Sequence, residues 1–236
     1  MTTAFILAGG LGLRLRKKVL GIPKPMAPIN GYPFLEYLLN YWALQGITKF
    51  VLSVCYLSEI IIKHFGNRYK NIPIEYFIEQ SPMGTGGGLL RFSSKVKNDF
   101  IILNGDTFLN ASLKSLNNLK SVSKADMVIS LVKKKDKNRY DQIMLNPKKK
   151  ITKIVKSKIF YSNFVNGGVY LVSPGIFGKI KNSYKKKCSL ESDIIPRLLL
   201  DEYNLVGLKH YGKFIDIGLP SDYKKAKSIL HKLYFK

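Results

Sequence analysis

Three short apolar runs, at residues 3–8, 50–54 and 100–103, each end on small or polar residues, and segments with helical periodicity lie between them. Continuous apolar runs of this length, bounded in this way, read as strands buried on both faces. With helices intervening, they predict a mostly parallel sheet covered on both sides. Residues 33–45 supply the first helix, where Phe34, Leu38, Tyr41 and Trp42 fall at helical spacing and Gly46 is a stop. Residues 58–65 read as a second helix capped by Ser58, residues 72–78 as a strand, and residues 86–93 as a short helix before the run FIIL. The second half is richer in strands, at 127–132, 142–145, 151–155 and 164–172. Helical segments at 174–180 and 194–200 follow, then strands at 205–210 and 213–216 and a closing helix from Pro220 to about Leu230. No internal repeat or long linker divides the chain, so a single α/β, Rossmann-like domain over residues 1–236 is expected. Its ligand site should lie beyond the carboxyl ends of the strands.

Composition excludes several alternatives. The chain of 236 residues is 46% hydrophobic and 12% aromatic, a globular balance, and at this size about 70–75% of the unfolded surface is buried without staples. Only Cys55 and Cys188 occur, which argues against a disulfide scaffold or a structural zinc site. No run approaches the ~18–20 apolar residues of a membrane span, and MTTAFILAGG lacks a charged leader, so a soluble, cytoplasmic protein without membrane insertion is expected. The formal charge is 39 − 15 = +24, which raises the question of nucleic acid. The excess, however, is scattered lysine with only six arginines, whereas base reading favours arginine on a defined element. A positive field that draws in polyphosphates is the simpler expectation.

Two features could carry chemistry. The loop Gly9-Gly10-Leu11-Gly12-Leu13-Arg14 lets backbone N–H groups approach a phosphate, with Arg14 adding a cationic fork; a plain strand-to-loop turn is the alternative. The spacing fits neither GxGxxG nor GxxxxGK[ST]. Lys24 follows between Pro23 and Pro25, which fix the backbone and aim the side chain, although a bare Pro-Lys-Pro is also a common solvated turn.

LAGGLGLRL followed by PKPM resembles the signature of the sugar-1-phosphate nucleotidyltransferases, GGxGTRL followed by PKP. The resemblance continues in order through EQSPMGTGG, LNGD, NGGVYL, SLESD and FIDIGLPSDY, over almost the whole chain. In wording and length it is most similar to the bacterial D-glycero-α-D-manno-heptose 1-phosphate guanylyltransferases, with mannose-1-phosphate guanylyltransferases as near neighbours. The resemblance implies a GT-A-like nucleotide-diphospho-sugar transferase fold with a nucleotide-binding half at 1–125 and a sugar-binding half at 126–236. It also implies an Mg²⁺-dependent reaction. A sugar 1-phosphate oxygen attacks the α-phosphorus of a nucleoside triphosphate, releasing pyrophosphate and giving a nucleotide-sugar for surface polysaccharide, lipopolysaccharide or capsule.

By the same resemblance, Arg14, Lys24, Asp106 and Asp216 are the catalytic residues, and Asp106 and Asp216 hold the metal through hard oxygens. Each aspartate alone could equally be a cap or turn residue. Leu7, Ala8, Gly9, Gly10, Gly12, Arg14, Lys24, Glu79 and Gly84 are implied at the nucleotide. Glu79 there suits guanine, whose adjacent N–H donors a carboxylate accepts, so GTP is favoured; a solvated residue at a strand end is the alternative. Thr85, Gly86, Asn104, Lys158, Asn166, Gly167 and Glu191 are implied at the sugar phosphate. Residues 84–87 are read as a small-residue loop, Asn104 as a sugar contact or a loop anchor, and Glu191 as a sugar contact or part of a helix start capped by Ser189. The chain departs from the family at Leu13, where Thr is usual, and at 155–158, where a Glu-Lys pair is replaced by Val-Lys-Ser-Lys. Spacing does not separate Lys156 from Lys158, and Lys158 is preferred. A catalytically silent nucleotide- or sugar-binding homologue is the rival of another class. Homo-oligomerisation is open.

Overall fold

A computed structural model of the chain describes residues 2–10, 21–134, 140–156, 159, 161–180, 187–218 and 220–234. The chain runs β1 (Thr3–Leu7), a 3₁₀ turn (Lys24–Met26), β2 (Pro28–Ile29), β3 (Tyr32–Pro33), α1 (Phe34–Leu44), β4 (Lys49–Val54), α2 (Ser58–Phe65), β5 (Arg68–Tyr69), β6 (Ile72–Ile78) and α3 (Gly84–Ser93). It continues with β7 (Phe100–Asn104), β8 (Thr107–Leu109), α4 (Leu113–Ser123), β9 (Met127–Lys133), β10 (Gln142–Leu145), β11 (Ile151–Val155) and β12 (Phe164–Val172). A 3₁₀ turn (Pro174–Phe177), a π-helical turn (Leu190–Ile194), α5 (Ile195–Leu200), β13 (Leu205–His210), β14 (Phe214–Asp216) and α6 (Pro220–Tyr234) complete it.

One ten-stranded mixed sheet organises these elements, as the apolar runs predict. Its amino-terminal part is parallel, with β4 and β7 flanking β1 and β6 beyond β4, while β12 turns antiparallel against β7 and carries the second half into the same sheet. Side chains alternate between the two faces. Ala4 and Ile6, Phe50 and Leu52, and Ile101 and Leu103 join one core, under α1, α2, α4 and α6. Phe5, Val51, Phe100 and Ile102 join the other, against α3 and α5. Burying each such side chain contributes about 1.5–3 kcal/mol, and a parallel strand that does so on both faces has no polar side to write into its sequence.

The structure corrects several local expectations. Ser58 does not cap α2; Leu57 holds the cap position in a left-handed conformation (φ 52°), and no side chain accepts from the helix's first amides. Residues 84–87 are the first turn of α3 and not a loop; Gly84 and Gly86 pack against Cys188 and Gly87 against Met83, and Gly88, which follows, lies against Glu79 and Ser53. Strand β8 and helix α4 lie in a stretch that gave no clear signal; Ser112 caps α4 by accepting from the Ser115 amide at 3.2 Å. The segment 174–180 is a 3₁₀ turn where a helix was expected, and the helix expected at 194–200 begins with a π-helical turn four residues earlier.

Candidate active site

Three parallel strands end at one level. Leu7 is in register with Ser53 on one side and Asn104 on the other, and the ladder continues one residue further through Ala8 N to Ser53 O (2.8 Å) and Gly105 N to Leu7 O (3.0 Å). A Cβ on Gly105 would lie 2.6 Å from the Leu7 carbonyl oxygen, so only glycine lets the chain turn here and present Asn104 and Asp106 on either side. Two cavities open from this point and share those two residues.

The first cavity, about 300 Å³, is walled by Leu7, Gly9, Gly10, Ser53, Glu79, Pro82, Gly84, Thr85 and Lys187. Ala8, between Leu7 and Gly9 in sequence, is buried. Glu79 is not solvated at a strand end. It is only 9% exposed, its Oε1 accepts from the Ser53 hydroxyl at 2.7 Å and its Oε2 from the Met83 amide at 2.9 Å. Each oxygen retains a lone pair, and both are held in fixed directions. Gly12 and Arg14, with the departure at Leu13, lie outside the described residues.

The second cavity, about 370 Å³, takes its walls from both halves: Thr107 beside the shared pair, Tyr140 and Asp141, Ile143, Lys156, Asn166 and Gly168, Glu191, and Phe214 with Asp216. A bulge in β12 shapes it. Asn166 is opposite Leu131 and Tyr170 opposite Ile129, so three residues of β12 face one residue of β9. Asn166 Oδ1 closes the bulge by accepting from Gly168 N at 2.9 Å, and Gly168 (φ 72°) sits where a Cβ would meet Thr107 Oγ1 at 2.5 Å. Gly168 is thus at the cavity, while Gly167 packs against Leu109 and Ser130 behind it.

Glu191 joins the two cavities. Its Oε2 accepts from Thr85 Oγ1 at 2.8 Å and Ser189 Oγ at 3.0 Å, and its Oε1 accepts from the Tyr170 hydroxyl at 3.3 Å and Asn104 Nδ2 at 3.5 Å. The helix-start reading of this segment holds, since Ser189 also caps the π-helical turn by accepting from the amides of Glu191 and Ser192, and Glu191 itself lines the second cavity. Complete burial, and then the Glu191 carboxylate, push the Tyr170 hydroxyl well above the ordinary tyrosine range, so it remains a donor. Thr85 and Gly86 differ from expectation. The Thr85 hydroxyl is spent on Glu191 and on the Leu190 amide (2.8 Å), and it faces the first cavity; Gly86 faces Cys188 and Ile194 and lines neither. Lys158 lies outside the described residues, and Lys156 stands in the cavity wall.

Asp106 and Asp216 come together because β8 pairs antiparallel with β14, placing Asp216 opposite Thr107. Asp216 is oriented by Gly218 N (2.8 Å to Oδ1) and the Tyr140 hydroxyl (3.2 Å to Oδ2). The Lys24 ammonium lies between the two aspartates, ion-paired with Asp106 Oδ2 and 4.0 Å from Asp216 Oδ1. Two carboxylates that already share a cation fit a divalent ion whose remaining ligands are phosphate oxygens and water. No cluster of three or more His, Cys, Asp or Glu that could hold a metal occurs among the described residues. The thiols offer no nucleophile: burial and then Asp193 push Cys188 up to about 11, and burial with Glu79 raises Cys55. No helix among the described residues is long and apolar enough to cross a membrane.

Sequence reasoning did not single out Ser53, Gly105, Thr107, Tyr140, Gly168, Tyr170 or Lys187 as site residues. Gly105, Gly168 and Tyr170 lie inside the LNGD and NGGVYL motifs, so a signal is present in the sequence; Ser53 and Tyr140 enter only through folding.

Comparison with known proteins bears on the same region. A family model described as nucleotidyl transferase matches residues 3–232. A D-glycero-alpha-D-manno-heptose 1-phosphate guanylyltransferase of Aneurinibacillus thermoaerophilus is 39% identical over 96% of this chain and 97% of its own. One of Campylobacter jejuni is 34% identical over 93% and 96%. Among solved structures, HddC from Yersinia pseudotuberculosis complexed with GMP-PN superposes with a TM-score of 0.80 at 32% identity, covering 97% of this chain and 99% of that one.

Proposed function

The chain belongs to the nucleotidyl transferase family, and on that premise we propose that it transfers GMP from GTP to D-glycero-α-D-manno-heptose 1-phosphate in the cytoplasm, releasing pyrophosphate. The observation that carries the reading is the meeting of two cavities at Asn104 and Asp106. A two-substrate displacement needs two binding spaces that touch at the reacting atoms, and aligning substrates is worth several kcal/mol of barrier without any covalent intermediate.

In the first cavity the backbone of Gly9 and Gly10 can approach the phosphates, and Glu79, held by Ser53 and Met83 N, accepts from the guanine N–H edge. In the second, Asn166 and Glu191 meet sugar hydroxyls and Lys156 attracts the sugar phosphate. Lys24 stabilises charge as it spreads over the α-phosphate and the departing pyrophosphate. Arg14 is assigned to the triphosphate by its motif alone. Asp106 and Asp216 would hold Mg²⁺, which supplies charge neutralisation and orientation of phosphate oxygens.

The test is pyrophosphate release with Mg²⁺ across the common nucleoside triphosphates, each against heptose, mannose and glucose 1-phosphates. Turnover confined to GTP with the heptose is expected; another productive pair refutes the substrate assignment, and none at all favours the silent homologue. Asp106→Asn should lower kcat by about a thousandfold or more with the fold intact by circular dichroism. Retained turnover in that variant overturns the role given to Asp106.

A further inference from the structure

We propose that Lys24 occupies the cation seat between Asp106 and Asp216 in the free enzyme, so that a divalent ion competes with the ammonium until nucleotide phosphates draw the lysine away. The inference rests on the metal reading above and deepens it.

The geometry argues for exchange by the side chain alone. The base of Lys24 is rigid: Pro23 and Pro25 flank it, Met26 N donates to Pro23 O at 2.8 Å and Ala27 N to Lys24 O at 3.0 Å, and Pro25 and Met26 are buried. Only the four-carbon stem is left to move. The Asp216 half of the seat, by contrast, is held without the lysine, since Gly218 N and the Tyr140 hydroxyl fix its carboxylate. The Lys24 side chain is 10% exposed, so leaving the carboxylates strands a largely desolvated ammonium unless a new anion is supplied. A triphosphate in the adjoining cavity, which shares Asp106, is such an anion. An ammonium and a divalent ion cannot both lie within a few Å of the same two oxygens, because their repulsion there is large. Metal and nucleotide binding are therefore positively coupled through Lys24, and the coupling is reciprocal. The free enzyme should hold metal weakly.

The experiment is Mn²⁺ binding followed by electron paramagnetic resonance in the absence of nucleotide. Lys24→Met should bind Mn²⁺ about tenfold or more tightly than the unaltered protein. Lys156→Met, which removes a charge from the wall of the same cavity, should stay within about twofold. Equal affinity of Lys24→Met and the unaltered protein overturns the proposal and leaves the metal reading standing. Equal tightening by Lys156→Met also overturns it, because a general field would then suffice. If adding Asp106→Asn to Lys24→Met leaves the tightened affinity intact, the ion sits elsewhere and the metal reading falls as well. A measurement on the unaltered protein guards against misfolding: saturating Mg²⁺ should raise acetic-anhydride labelling of Lys24 several-fold relative to Lys156, measured by mass spectrometry. Unchanged relative labelling overturns the exchange.

Discussion

The two cavities meet at one turn, yet they are made differently. The first is built mostly at the ends of parallel strands, much of it backbone and small side chains: Leu7, Gly9 and Gly10 from one strand end, Ser53 from the next, and Glu79 to Thr85 from a third, with Lys187 the one wall residue from the second half. The second draws side chains from β7, β8, β11, β12, β14 and the π-helical turn, and depends on a bulge and on the carboxylate hub of Glu191. Small residues and fixed amides suit a polyphosphate, whose recognition is largely a matter of close approach and charge. A sugar must be told from its epimers by hydroxyl direction, which needs side chains oriented by other side chains. The difference in construction is the one the proposed pair of ligands requires.

Gly105→Ala should break the comparison by damaging both cavities together. The added methyl meets a strand carbonyl at 2.6 Å, and a backbone atom within a ladder cannot yield as a side-chain tip can. We expect a loss of about 2–4 kcal/mol in stability, near 5–10 °C in melting temperature, and about a hundredfold in kcat/KM. A variant with native kcat/KM would mean that Asn104 and Asp106 do not depend on this turn. Two milder substitutions separate the cavities. In Gly88→Ala the methyl lies 2.8 Å from Glu79 Oε1 and 2.9 Å from Ser53 Oγ, so the hydrogen-bonded pair that the proposed function places at the base must shift. KM for GTP should rise about tenfold while that for the sugar phosphate stays within about twofold. Glu191→Gln turns one acceptor of the hub into a donor facing other donors; it should raise the sugar-phosphate KM by roughly five- to tenfold and move the GTP value less. If both variants raised both constants alike, the cavities would be one energetic unit and the distinction would be false.

Legibility in the sequence follows the same division. The strands at 72–78, 142–145, 151–155, 164–172 and 205–210 were read with the bounds the structure has, because apolar, β-branched and aromatic residues cluster there between turn residues. Helix α4 is hard to read because polar residues dominate it and only Leu113 and Leu116 are buried, although Leu113, Leu116, Leu119 and Val122 do recur at three-residue spacing. At the site, Gly9, Gly10, Glu79, Asn104, Asp106, Asn166, Glu191 and Asp216, each from a contiguous motif, are brought together in the walls of the two cavities. What could not be read is which neighbour takes up a side chain's hydrogen bonds. Thr85 has the right type and position for a sugar contact, yet its one donor and its acceptor are committed to Glu191 and Leu190. Tyr170 lies inside the NGGVYL motif, yet nothing in the sequence sets it apart from the apolar residues around it in the strand. Its partners are four residues away on its own strand and twenty-one away on the π-helical turn.

The smallest expected effect lies at the far edge of the second half and should leave the first untouched. His210, at the end of β13, places Nε2 3.1 Å from the hydroxyl of fully buried Ser130 on β9, and burial lowers its affinity for protons below that of an ordinary histidine. In the unfolded chain the imidazole titrates near 6.5, so between that value and its lower folded one the unfolded state binds the extra proton. Stability contributed by neutral His210 is therefore present above the unfolded value and is lost as pH falls through it toward the folded one. Hydrogen exchange compared at pH 7.5 and 5.5, corrected for intrinsic rates, should show weaker protection of β13 and β9 at the lower pH, with β1, β4 and β6 unchanged. The loss should be on the order of 1 kcal/mol or less, and His210→Gln should abolish its pH dependence. Equal loss in β1 and β4 would mean that the single sheet opens as a whole at acid pH, and the two halves would not be separable in stability as they are in construction.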